Sequence, residues 1–268
     1  MSDNLYMVPY DFTEVGDKAL EYALHVGKHV RTEILLLHLA KDKKTGLAKR
    51  DRLQQVADSV KCPPGVSVST KTIVGSIFTD ISRIAKQEKA QLIVMGTHGK
   101  KGMQKLFGSK AMKVVISADC PFLVVQKQTQ LNEIKNISVP IDLTKESLQI
   151  VNLAGDLANI FAAKIHILAE KQTDQLLDQR IKNRLSIVSK TYEERDLEAS
   201  VTLVKKRGKY RRKVLNHAKE HKVDLIAIAY HSESLFPQFD DFAQKLLINK
   251  QGLPVLVINS KLASALYF

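Results

Sequence analysis

Residues 95–111 read MGTHGKKGMQKLFGSKA, with glycines at 96, 99, 102 and 108. Gly96 and Gly99 suit a backbone that turns through positive φ and lets a ligand come close to main-chain N–H groups. Gly108-Ser109 precedes a helix-like stretch, where unpaired N–H groups and the helix dipole favour an anion and the Ser109 hydroxyl adds a donor. Lys100, Lys101, Lys105 and Lys110 add positive charge. The chemistry is that of a phosphate cradle. A plain glycine turn is the alternative, but the position after the apolar run LIVM and before a capped helix favours the cradle. The segment is not a Walker A loop, which needs Gly-Lys-Ser/Thr, nor the dinucleotide fingerprint, which belongs in the first strand-to-helix turn.

Other residues offer weaker chemistry. His25/His29 and His217/His221 each stand one helical turn apart. With no third ligand nearby in the sequence and no HExxH general base, no metal site is assigned to either pair. Cys62 and Cys120 each precede a proline and lack a second cysteine at ligand spacing, which fits a reduced loop residue and a core residue. KKRGKYRRK at 205–213 holds seven basic residues in nine and places positive charge at a helix N-terminus, against the dipole. A solvated turn is the ordinary reading of that run, and a polyanion or acidic protein the other.

The elements that must position the glycine segment follow from an internal repeat. Residues 74–125 align without a gap to 207–258, ten of the 52 positions being identical, and VPYDFT at 8–13 recurs as VPIDLT at 139–144. This divides the chain into domains at 1–128 and 134–260. In the first, LYMVP, EILLLHLA, Val66–Val74, QLIVMG and PFLVVQ read as strands. Helical spacing covers Thr13–Val30, Lys43–Ser59, Ile77–Glu88 and 109–118. The second repeats this order with ISVPI, KIHILAE, ASVTLVK, DLIAIAY and PVLVIN as strands. Its helices fall at Ser147–Ala162, from there after KIHILAE to about Arg195, at Arg211–His221 and at Asp241–Asn249. Strands alternating with helices predict two α/β, doubly wound, Rossmann-like parallel sheets of five strands each. Ligands on such a sheet sit beyond the carboxyl ends of the strands, where the strand order reverses.

The text QLIVMGTHG, then GSKAMKVV and CPFLVV, in a chain of two such halves, resembles the universal stress proteins. These are α/β domains of the adenine nucleotide alpha hydrolase-like class, often in tandem. The resemblance implies a stress-response role and binding of an adenine nucleotide, ATP or AMP, with or without Mg2+. It implies nucleotide contacts at Pro9, Asp11, Leu39, Met95, Gly96, His98, Gly99, Gly108, Ser109 and Lys110. Family members that bind ATP space the second and third glycines by nine residues, and here eight separate Gly99 from Gly108. Asp11 also reads as the N-cap of the first helix, a role compatible with a ligand contact.

In the second half the segment is altered: Ala229, Ser232 and Asp241-Phe242 stand at the places of Gly96, Gly99 and Gly108-Ser109, and Asp240-Asp241 would repel an anion. Asp142 is retained, which leaves adenosine contacts there open. Nucleotide binding is therefore expected in the first half. No dedicated catalytic arrangement is recognisable, although slow hydrolysis of ATP stays open. The competing reading is a ligand-free module that works through protein or polyanion partners.

Composition sets the outer bounds. A net charge of +13, divided +8 and +5 between residues 1–130 and 131–268, attracts anions without defining a site. No apolar run approaches the roughly 18 residues of a membrane span. MSDNLYMVPYD carries an acid and a proline where a signal peptide would be basic and then apolar, so a cytoplasmic protein is expected, and the resemblance adds the expectation of a bacterial one. The apolar last strand of each half would be covered in a homodimer or in an intramolecular pseudo-dimer. A membrane partner is not expected, and a nucleic-acid partner is disfavoured.

Overall fold

A computed structural model of the chain describes residues 4–77, 79–97, 120–230 and 241–259. It divides into two compact units, Met1–Leu131 and Asn132–Phe268. The first holds β1 (Asn4–Pro9), α1 (Glu14–Gly27), β2 (Thr32–Ala40), α2 (Lys43–Ser59), β3 (Val66–Val74), α3 (Asp80–Gln87), β4 (Leu92–Thr97) and β5 (Phe122–Gln126). The sheet order is β3-β2-β1-β4-β5, with β1 paired in parallel to both β2 and β4. Parallel pairing also joins β2 to β3 and β4 to β5. The order reverses between β1 and β4, and a crevice opens there at the carboxyl ends of the strands.

The second unit repeats the plan. It holds β6 (Asn136–Pro140), α4 (Ile150–Phe161), β7 (Lys164–Glu170), α5 (Gln175–Glu193), β8 (Ala199–Val204), α6 (Tyr210–Glu220), β9 (Leu225–Tyr230), α7 (Asp241–Leu247) and β10 (Val255–Asn259). Its order is β8-β7-β6-β9-β10, all parallel. The predicted doubly wound sheets are thus observed in both halves. A one-turn 3-10 segment, Glu146–Leu148, precedes α4 where the spacing predicts continuous helix. The predicted helix at 109–118 lies outside the described residues.

Burial follows from residue type. Ile34, Leu36 and Leu37 of β2 are wholly enclosed, as expected for a strand with helices on both faces. The edge strand β3, VSVSTKTIV, mixes polar and β-branched residues and is only half-buried along most of its length. On α1, Val15, Ala19, Leu20, Ala23 and Val26 form the buried stripe, while Lys18 pairs with Glu21 on the outer face. Cys62 is exposed, Cys120 is buried, and neither forms a disulfide. No described helix is long and apolar enough to cross a membrane.

The repeat identities include a helix stop. Lys89 and Lys222 both adopt left-handed backbone, at φ 56° and 50°. Ala90 N–H returns to Ala85 O and Val223 N–H to Ala218 O, each at 2.8 Å. This is the Schellman closure of α3 and of α6, and it falls at the recurring Ala85/Ala218, Lys86/Lys219 and Lys89/Lys222.

Gly96 corrects one expectation. It lies within β4 and is not among the residues with positive φ. Its lack of a side chain serves packing instead: a Cβ there would stand 2.3 Å from the Val15 carbonyl oxygen and 2.4 Å from Val15 Cγ1. The first turn of α1 can approach β4 so closely only across glycine. Gly96→Ala is therefore expected to cost about 3 kcal/mol, the upper end for overpacking. Urea denaturation measures this, and a loss below about 0.5 kcal/mol would contradict the packing account.

Candidate functional site

The β1–α1 connection builds the first wall of the crevice. Thr13 is the N-cap of α1, its Oγ1 accepting from Gly16 N–H at 3.3 Å. The expectation that Asp11 caps this helix is corrected: Asp11 lies two residues too early and closes an Asx turn. Its Oδ1 accepts from Thr13 N–H at 3.2 Å and Thr13 Oγ1–H at 2.6 Å. Oδ2 takes no part in these bonds. Tyr10 donates its hydroxyl to Asp17 on α1, and burial together with that carboxylate holds its pKa above the ordinary tyrosine value.

Between Asp11 and Thr13, Phe12 has φ 62°, a left-handed conformation that costs an ordinary residue about 1–2 kcal/mol. The ring that this turn presents meets the His38 ring at 4.9 Å and the Tyr10 ring at 5.3 Å. Lys49 and Arg52 of α2 lie over it, 5.0 and 4.6 Å from its centroid. His38 Nδ1 is 2.8 Å from Tyr10 O, an acceptor only, so Nδ1 carries the proton and donates. The bond ties the end of β2 to the loop after β1.

These walls enclose a cavity of about 380 Å³ at the switch point. Pro9, Asp11, Leu39, Met95 and Gly96, all expected at the site from the sequence, line it together. Thr13, Val15, Gly16, His38, Lys41 and Gly75–Ile77 line it too and were not singled out as contacts. His98, Gly99, Gly108, Ser109 and Lys110 lie outside the described residues. The volume falls within the range of small-molecule sites, and the lining is mainly apolar with one carboxylate and one lysine. At its far side Ser76 N–H donates to Asp80 Oδ2 at 2.8 Å, which with Arg83 holds that carboxyl below its ordinary pKa. Gly75 allows this, since a Cβ would stand 2.7 Å from Asp80 Oδ2.

The two halves match the universal stress protein family separately, over residues 6–126 and 133–259. The chain belongs to that family. It carries two universal stress protein domains in tandem. A universal stress protein of Methanocaldococcus jannaschii is 29% identical over 144 residues, covering 47% of this chain and 85% of the relative. A universal stress protein A homolog of Coxiella burnetii is 34% identical over 76 residues, 28% of this chain and 51% of its own length. The crystal structure of a universal stress protein from Archaeoglobus fulgidus superposes with a TM-score of 0.77 at 17% identity, covering 97% of this chain and all of that one. It shares the fold of both domains.

The second domain keeps the turn and places a longer side chain at its strand ends. Thr144 N–H donates to Asp142 Oδ1 at 2.8 Å, as Thr13 does to Asp11. The residue at the place of Ile77, however, is Tyr210. Its hydroxyl reaches Leu168 O at 2.5 Å and Ile141 O at 3.2 Å, the strand-end carbonyls corresponding to Leu37 and Tyr10, and its ring stacks on Phe242 at 5.5 Å. Desolvation of that hydroxyl holds its pKa well above the ordinary value. From α5, Arg184 donates to Asp142 O at 2.7 Å and also to Thr144 O. Two long side chains thus take up the carbonyls around Asp142, and Tyr210 is a packing residue where the sequence suggested a solvated basic turn. Lys213 of the same basic run is likewise engaged, pairing with Glu170.

Tyr210→Phe removes a hydroxyl from two carbonyls but leaves the ring in place. It is expected to destabilise the chain by about 1 kcal/mol. Urea denaturation that places the variant level with the parent would mean that the hydroxyl is not seated there.

Proposed function

We propose that the first domain binds an adenine nucleotide, ATP or AMP, in the switch-point cavity, and that the chain acts as a nucleotide-responsive regulator in the stress response without designed turnover. The observation that carries this reading is the asymmetry at one pair of positions: Ile77 borders an open cavity, whereas Tyr210 at its counterpart lays its hydroxyl on the strand-end carbonyl of Leu168. The residues of the cavity suit a nucleoside. Pro9, Leu39 and Met95 give apolar walls for a base, Asp11 offers a carboxylate to hydroxyl groups, and Lys41 supplies positive charge at the rim. The glycine segment that follows β4 starts from this cavity, at Gly96, and the phosphate chemistry argued from its sequence would continue from there.

The second reading, a ligand-free interaction module, draws on the eight-residue interval between Gly99 and Gly108. Mass spectrometry of nucleotide released on denaturing the purified protein, followed by calorimetric titration with ATP and AMP in the presence and absence of Mg2+, separates the two. One adenine nucleotide per chain is expected. Ile77→Tyr should reduce affinity at least about 100-fold by transferring the second domain's plug to the first, and Gly108→Asp should do the same by placing an anion at the helix start. Absence of both co-purified and titratable nucleotide would favour the interaction module.

A further inference from the structure

The first domain serves as an internal control for a feature of the second. His217 and His221 on α6 stand where α3 has Ile84 and Glu88, and His166 on β7 stands where β2 has Leu35. Leu35 and Ile84 are ordinary buried apolar residues. In the second domain the same core positions carry imidazoles, and His166 and His217 remain buried, at 5% and 4% exposure. The pair His217/His221, which in sequence lacks a third ligand, thereby gains one from a strand 51 residues away.

The three residues offer one ligand nitrogen each, all within 4.8 Å of one another. Tetrahedral coordination by imidazole at about 2.0–2.1 Å requires nitrogens about 3.4 Å apart, a contraction that the exposed His221 can supply by rotating. The outer hydrogen bonds have the polarity that a cation needs. His166 Nε2 lies 2.9 Å from Asn136 Oδ1 and Nδ1 lies 3.2 Å from Ser200 Oγ, while His217 Nε2 lies 3.2 Å from Thr202 Oγ1. With Nε2–H donating in both buried rings, each Nδ1 is the lone-pair nitrogen; on His166 it accepts from the Ser200 hydroxyl, which has to turn aside for a cation to bind there. His217 Nδ1 is buried and has no hydrogen-bond partner. A buried acceptor left in that condition is costly, and a cation relieves the cost.

We propose that His166, His217 and His221 form a three-imidazole site for a divalent transition-metal cation of the zinc class, with its fourth position open to solvent beside His221. Imidazole suits zinc, copper and nickel, and the oxygens of Asn136 and Thr202 on the Nε2 sides orient the two buried rings. The site lies in the second unit and shares no residue with the cavity of the first.

The test uses full-length protein without a polyhistidine tag, stripped with EDTA. Calorimetric titration with ZnCl2 is expected to show one Zn2+ per chain, and Co2+ is expected to give the visible bands of a four-coordinate site. Loss of one outer hydrogen bond around a metal costs 10–100-fold in affinity, so His221→Asn, which removes a ligand at an exposed position, should cost at least about 100-fold. The double variant His166→Leu/His217→Ile installs the first domain's apolar residues. It should fold, by circular dichroism and a cooperative melt, and bind no metal, whereas His25→Asn/His29→Asn should bind like the parent. Absence of stoichiometric Zn2+ and Co2+ binding by the parent chain would overturn the proposal, as would binding that survives both His221→Asn and the double variant.

Discussion

The contact between the first turn of α1 and the end of β4 is the constraint on which the first domain's site depends. At the switch point β1 feeds a helix that must cross directly over its neighbour β4, and the Val15 carbonyl comes so near Gly96 that no Cβ fits between them. This approach fixes the start of α1 and hence the Asx turn at Asp11 and the left-handed Phe12 before it. It also fixes where the glycine segment leaves β4. A parallel sheet offers its strand-end N–H and C=O groups to whatever lies beyond them. Here the β1–α1 turn takes one such group, through Tyr10 N–H to Leu37 O, and leaves the space above it open.

The duplication shows how little is needed to close that space. Both domains keep the backbone bond between the first strand's exit and the second strand's end: Tyr10 N–H to Leu37 O, and Ile141 N–H to Leu168 O, each at 2.8 Å. Both keep the aspartate turn. The cationic residue preceding the buried leucine of the second helix is also kept, as Arg52 before Leu53 and Arg184 before Leu185. In the first domain that arginine lies over Phe12; in the second, where Leu143 replaces the ring, it bonds the loop carbonyls directly. The two strand ends thus differ through side chains on a common backbone turn, Ile77 or Tyr210 and Phe12 or Leu143.

Much of this was legible in the sequence. The repeat follows from aligning the chain with itself, and the fold class and most element spans from apolar periodicity, because a strand buried on both faces can be little else than VIL-rich. Pro9, Asp11, Leu39, Met95 and Gly96 were placed at the site, and the cavity unites them. The physical reasons were less legible. Gly96 reads as a turn glycine because its neighbours in sequence are glycines, whereas the atom that demands it, Val15 O, is 81 residues away. Thr13 rather than Asp11 caps α1 because both offer a suitable oxygen and only backbone geometry selects between them. Tyr210 sits among lysines and arginines, so the inward course of its half-buried side chain is invisible to any local window. Aligned against Ile77 of the first half, it was visible as the one apolar position in a basic run.

The histidines make the same point from the opposite direction. In KIHILAE, His166 interrupts a strand whose other central residues are apolar, and the column it shares with Leu35 is a core column. A polar residue retained at such a place has to be satisfied, and neutral imidazole is satisfied by one donor and one acceptor contact. His166 achieves this through Asn136 and Ser200. His217 has only Thr202 and is left with a bare Nδ1, directed into a cluster with two further rings. Packing alone would have been better served by the Leu and Ile of the first domain. At the C-terminal end of α6 the second domain's polar groups converge on one cluster, and their chemistry is that of a cation ligand set rather than of a nucleotide site.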